Sequence, residues 1–127
     1  ACDPEALVRE GNIEPARIAS FAILTLHADG TLAAIIEKPD AATLAAAGPT
    51  PWVSMNLFRL DAACFAACHN VTPSPRGELE LPTAITLAIA RGTRMQAVTL
   101  RAGVLDLSRQ DDIAAVANAL ATARCTP

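Results

Sequence analysis

Ser20-Phe21-Ala22-Ile23-Leu24-Thr25-Leu26-His27-Ala28-Asp29-Gly30-Thr31-Leu32-Ala33-Ala34-Ile35-Ile36-Glu37-Lys38-Pro39 is the stretch that decides the fold. Two apolar runs, Ser20 to Leu26 and Thr31 to Glu37, flank a turn whose end is Asp-Gly, a pattern that predicts a β-hairpin. Pro39 has no N–H to give to a sheet ladder, so the second strand should finish near Lys38, leaving Glu37 and Lys38 at its mouth. There a carboxylate can accept hydrogen bonds from sugar hydroxyls and an ammonium can neutralise a phosphate. The same pair also reads as a surface Glu and Lys before a turn. Lys38 is the single lysine among ten basic residues. It marks either a site needing a compact, flexible point charge or the last lysine of an Arg-biased chain.

Working outward, Asp3 to Glu10 has helical composition and stops at Gly11-Asn12, before a short turn around Glu14-Pro15-Ala16-Arg17. Asp40 is the N-cap of an Ala-rich helix, Ala41 to Ala47, that ends at Gly48-Pro49. Trp52 to Leu60 reads as a strand, and Asp61 caps a helix from Ala62 to about His69. The prolines of Thr72 to Gly77 forbid regular structure and present Arg76 in a fixed place. Leu81, Ala84, Ile85, Ala88 and Ile89 follow helical spacing within a helix from about Glu80 to Arg91. Met95 to Leu100 and Val104 to Leu107 read as strands. Ser108 is the expected cap of a last helix with Asp111 at its third position and an apolar stripe of Ile113, Val116, Ala117 and Leu120. This order predicts an α/β fold: a mixed sheet with an initial β-hairpin and flanking helices. There is no Gly-rich phosphate loop and no opening strand. The chain is therefore expected to be the second half of a larger domain, with apolar surface left exposed.

Composition narrows the class. At 127 residues, 52% hydrophobic and 18% charged, the chain has the size of one domain and is not a disordered one. A net charge of −3 with scattered basic residues leaves no nucleic-acid footprint. No apolar run approaches about 20 residues and no leader-like start is present, so a cytoplasmic protein without membrane contact is expected. Cys2, Cys64, Cys68 and Cys125 are too sparse for a disulfide framework and are expected as thiols. Cys64, Cys68 and His69 lack the spacing of a zinc knuckle and read as helix residues.

Four ordered blocks carry a resemblance: the hairpin Phe21 to Pro39, then Val53-Ser54-Met55-Asn56-Leu57-Phe58, then Arg76-Gly77-Glu78-Leu79-Glu80, then Val104-Leu105-Asp106. Together, over roughly residues 18 to 120, they resemble the C-terminal, sugar-binding half of sugar-1-phosphate nucleotidyltransferases. The resemblance implies a Rossmann-like fold and an activity in bacterial sugar activation. Such enzymes join a nucleoside triphosphate to a sugar 1-phosphate with Mg²⁺, giving a nucleotide sugar and pyrophosphate. Residues 1–127 would then be the sugar-phosphate part of one nucleotidyltransferase domain, with the nucleotide-binding part absent. The resemblance further implies that Glu37 holds sugar hydroxyls and that Lys38 contacts the sugar phosphate as a catalytic group. It places Ser54 and Asn56 on the strand lining the sugar pocket and Arg76 near the substrate phosphate. Asp106 matches a catalytic, metal-binding carboxylate. Asn56 stands where the family has Gly, and Val104 and Ser108-Arg109 replace the aromatic and Gly-Thr that usually frame that carboxylate. Ser54 and Asn56 also read as small polar residues in a strand, Arg76 as a solvated loop residue, and Asp106 as a turn residue. Without the Gly-rich basic signature and the first metal Asp, the chain alone should not catalyse transfer. A non-catalytic α/β binding or regulatory module on the same fold is the alternative function, and a plain structural subunit a third.

Overall fold

The computed structural model describes residues 1–123; Cys125 lies outside them. Helix α1 (Pro4–Glu10) starts where the Asp3 carboxylate accepts the Ala6 N–H, and a 3-10 turn (Pro15–Ser20) leads into the sheet. The hairpin is present as β1 (Ile23–Leu26) and β2 (Leu32–Ile36), antiparallel, with Ile23 opposite Ile36 and Leu24 opposite Ile35. Its turn is fixed by Asp29, whose Oδ1 accepts both the Thr31 N–H and the Thr31 hydroxyl, while Gly30 takes φ +78°. Helix α2 (Ala41–Ala46) starts at Asp40, whose Oδ1 accepts the Thr43 N–H at 2.7 Å. A short β3 (Trp52–Val53) pairs with the other side of β1, so the sheet order is β2-β1-β3. Helices α3 (Ala62–Cys68), α4 (Leu81–Ala90) and α5 (Asp112–Thr122) follow.

Helices cover both faces of this sheet, and the strand alternation shows how. Leu24 and Ile35 point to the face covered by Ile85 of α4, with Trp52 and Ile89 packed alongside. Val53 points to the opposite face, against Leu7 of α1, Ile13 and Cys2. Helix α3 packs on α4 through Cys64, Ala67 and Ala88. Among the described residues no helix is long and apolar enough to cross a membrane. Apolar surface is exposed at Phe65, Leu79 and Val98, and most of all at Leu57, which is 95% accessible.

The α/β class holds, with three corrections. The three strands are antiparallel rather than mixed, and among the described residues parallel pairing is confined to one bridge, Cys2 with Leu100. The strand expected over Trp52 to Leu60 ends at Val53. Ser54 still gives its N–H to Ala22 O, but Asn56 adopts φ +56°, which breaks the extended run. The strands expected over Met95 to Leu100 and Val104 to Leu107 do not form. The first makes single bridges, Gln96 to Thr31 and Leu100 to Cys2. The second is paired by a side chain: Asn12 Nδ2 donates to Asp106 O and Asn12 Oδ1 accepts Asp106 N–H, both at 2.7 Å.

Asn56 is where the family resemblance places Gly, and its left-handed backbone accounts for that alternative, since Asn is the side chain that tolerates this region best after Gly. Asn56→Ala is expected to lower stability by about 1–2 kcal/mol in urea melts, and Asn56→Gly to leave it nearly unchanged.

Candidate functional site

The end of the sheet where β1 begins gathers part of the expected site. Ile23 faces Ile36 on one side and Val53 on the other, so Glu37-Lys38 and Ser54 leave their strands at the same end, flanking Ala22. Two strand spacings separate them, about 10 Å. Glu37 is half-buried, Lys38 is exposed and Pro39 is buried. Lys38 has φ +44°, an unfavourable conformation for a side chain with a Cβ and more so before proline. The buried Pro39 on one side and the hydrogen-bonded β2 on the other hold it there, while its side chain is exposed.

The other expected residues behave differently. Ser54 is buried, and its Oγ accepts the Asn56 N–H at 3.3 Å, so it shapes the turn, whereas Asn56 is exposed. Arg76 lies in a turn closed by Gly77 N–H to Ser74 O. Its guanidinium is engaged by Glu80 at 2.6 Å and Glu78 at 3.6 Å, so an incoming phosphate would exchange with carboxylates. No described hydrogen bond or ion pair of Arg76 or Asp106 reaches Glu37, Lys38, Ser54 or Asn56.

Asp106 belongs to a different constellation. Arg17 Nη2 donates to Asp106 Oδ2, to Ser108 Oγ at 3.0 Å and to Asp112 Oδ2 at 3.3 Å, while Nη1 donates to Asp112 Oδ1 at 2.7 Å. The side chains of Arg17, Asp106 and Asp112 are 7%, 15% and 8% accessible. Ser108 does not cap α5 as expected. Its hydroxyl donates to Asp106 Oδ2 at 2.6 Å, and Asp112 reaches back to accept the N–H groups of Ser108 and Arg109. Asp111 occupies the position before the helix without a side-chain cap.

The hydrogen bond from Arg17 is the main reason the Asp112 carboxyl is held below its ordinary range, with burial opposing it. The folded-state value lies below the unfolded one, so this stabilisation is present above about pH 4 and is lost as pH falls from there through the folded-state value. Urea melts between pH 5 and 3 should show a steeper acid loss in the wild-type chain than in Arg17→Met.

Sequence reasoning passed over Asn12 and Arg17, reading one as a helix stop and the other as part of a turn. The signal was slight: Arg17 has Glu14 three residues before it and so looked locally compensated, and only the second aspartate of Asp111-Asp112 exceeds what a helix start needs. Asp106 was singled out for a metal. Mg²⁺ needs several oxygen ligands at close to octahedral geometry, and the residues around Asp106 do not fit it. One carboxylate oxygen is taken by Arg17 and Ser108, and both oxygens of Asp112 by Arg17 and backbone N–H groups. Among the described residues no group of three or more His, Cys, Asp or Glu is placed to hold a metal. Cys2, Cys64 and Cys68 are free thiols, Cys68 Sγ donates to Cys64 O at 3.3 Å, and burial pushes the Cys64 thiol up.

Two concavities stand apart from Lys38. A cavity of about 300 Å³ borders Arg17, Asn12 and Arg109, and a mostly apolar groove of about 830 Å³ runs between α1, the 3-10 turn and α2, bordered by Val8, Ile18 and Leu44. Glu5 and Arg9 also border the groove, and Arg9 is engaged by Glu10.

No family model matches the chain. The chain is similar to a UTP–glucose-1-phosphate uridylyltransferase, AglF of Haloferax volcanii, with 34% identity over 83 residues, 65% of this chain. The match spans 32% of that relative, about a third of its length.

Proposed function

We propose that this chain is the sugar-phosphate-holding part of a nucleotidyltransferase that joins a nucleoside triphosphate to a sugar 1-phosphate, giving a nucleotide sugar and pyrophosphate. The observation that carries this reading is Lys38: a lone lysine in a left-handed backbone conformation, at the end of the sheet that also receives Ser54. Unfavourable backbone conformations persist where surrounding structure enforces them, and they concentrate at ligand sites. The similarity to a uridylyltransferase supports the same reading.

In this proposal Lys38 neutralises the sugar phosphate and Glu37 accepts hydrogen bonds from sugar hydroxyls. Asn56 borders the sugar, with buried Ser54 fixing its turn. Arg76 joins only by exchanging Glu80 for a phosphate oxygen. The chain is the C-terminal part of a Rossmann-like domain in the cytoplasm, and it is inactive without the residues that grip the triphosphate. Mg²⁺ in such a reaction supplies charge neutralisation on phosphate oxygens, and its ligands come from outside the residues described. The commitment of Asp106 to Arg17 favours a second reading, a non-catalytic binding module on the same fold.

Calorimetric titration of the chain with glucose 1-phosphate, together with a pyrophosphate-release assay on the polypeptide that carries it, separates these readings. Binding with pyrophosphate release supports the enzyme. Binding without release supports the module. Failure of both glucose 1-phosphate and a panel of other sugar 1-phosphates to bind would sink both.

A further inference from the structure

We infer that Arg17 is the resident cation of the Asp106 site, and that Asp106 therefore fastens helix α5 to the 3-10 turn instead of holding a divalent metal. Oxygen atoms of Asp106, Ser108 and Asp112 surround Nη2, and Nη1 is bound to the second Asp112 oxygen. This is the all-oxygen environment a hard cation would seek, filled by a guanidinium from the same chain. One positive charge sits between two carboxylates that are both largely removed from water. A divalent ion brought to Asp106 would lie within a few ångströms of that guanidinium, where low local dielectric makes like-charge repulsion large.

The neighbours of Asp106 are arranged for the same purpose. Asn12 holds both the N–H and the carbonyl of Asp106, which fixes the backbone from which the carboxylate projects. Ser108 and Arg109, the residues that depart from the Gly-Thr of the family resemblance, supply the contacts that complete the cage. The Ser108 hydroxyl goes to Asp106, and the two backbone N–H groups go to Asp112. Arg17 Nε is buried without a partner, so the guanidinium is placed by its two Nη groups and the carboxylates they meet. This assignment stands whether or not the sugar-phosphate reading is correct, because it rests on contacts among Asn12, Arg17, Asp106, Ser108 and Asp112 alone.

The test is a double-mutant cycle on the full chain combined with Mn²⁺ titration followed by electron paramagnetic resonance. Arg17→Met and Asp106→Asn are each expected to lower Tm by about 10 °C, with the double variant close to the worse single one. Arg17→Lys should recover part of the loss, because an ammonium keeps the charge but cannot hold both carboxylates, and this milder variant serves if Arg17→Met fails to fold. The wild-type chain should show no Mn²⁺ site that Asp106→Asn removes. Additive losses in the cycle, or a stoichiometric Mn²⁺ site in the wild-type chain that disappears in Asp106→Asn, would overturn the inference.

Discussion

Gly103→Ala should lower stability by about 3 kcal/mol or more, a fall in Tm on the order of 10 °C. A Cβ built on Gly103 lies 2.2 Å from Glu10 O, 2.3 Å from Glu10 C and 2.8 Å from Gly11 N. All three atoms are backbone, so no side chain can rotate away. Gly11 meets the same crossing from the other side, its Cβ falling 2.5 Å from both Leu7 O and Val104 O. Relief requires the end of α1 to separate from the segment beginning at Gly103. That movement would break the paired Asn12–Asp106 hydrogen bonds and draw Val104 away from Leu7 and Ile13. Gly77→Ala is the control: nothing lies within 4 Å of its Cβ, but its φ of +78° limits the effect to backbone strain of about 1–2 kcal/mol. Thermal melts of the two variants separate collision from strain, and a Gly103→Ala chain within 1 kcal/mol of wild type would show that the crossing yields easily.

Lys38→Ala should reduce kcat/KM for the sugar 1-phosphate by about 30- to 1000-fold in the polypeptide that carries this chain. That range corresponds to the roughly 2–4 kcal/mol a charge-assisted phosphate contact contributes once substrate has displaced water. Lys38→Arg should not restore the rate, because a planar fork on a different stem does not reproduce a point charge at a fixed backbone position. The backbone offers an internal check. Lys38→Gly relieves the φ +44° conformation while Lys38→Ala retains it, so the glycine variant should be the more stable of the two and equally inactive. An alanine variant within twofold of wild-type kcat/KM would remove Lys38 from the proposed site.

The parts of this fold that were legible in the sequence are those determined by near neighbours. The hairpin announced itself through apolar runs around Asp29-Gly30, and two helix starts through Asp40 and Asp61, each of which accepts a backbone N–H from the first turn. Met95 to Leu100 and Val104 to Leu107 were misread because an extended segment that makes isolated bridges, or pairs with an asparagine amide, has the same alternation as a true strand. The placement of Glu37 and Ser54 at one end of the sheet follows from register across β1, which no local pattern specifies. The Arg17 cage was hidden for a similar reason: its members are 89 and 95 positions apart in sequence, and a charge in a short turn looks solvated until its partners arrive.

The ties of the N-terminal segment set the order in which the chain can fold. Cys2 bridges Val53 and Leu100, the Asn12 side chain pairs with Asp106, and the Arg17 guanidinium is bound by Asp106 and Asp112. During synthesis, residues 1 to 17 therefore emerge long before the segment that completes their contacts. Closing such distant loops is slow because chain entropy is lost before the contacts form. The hairpin and the α3–α4 pair can assemble from local contacts meanwhile, so refolding should proceed from the middle of the chain. Docking of the N-terminal segment, with its buried arginine, should be the last event, and in this interval Leu7 and Ile13 are open to aggregation or chaperone capture.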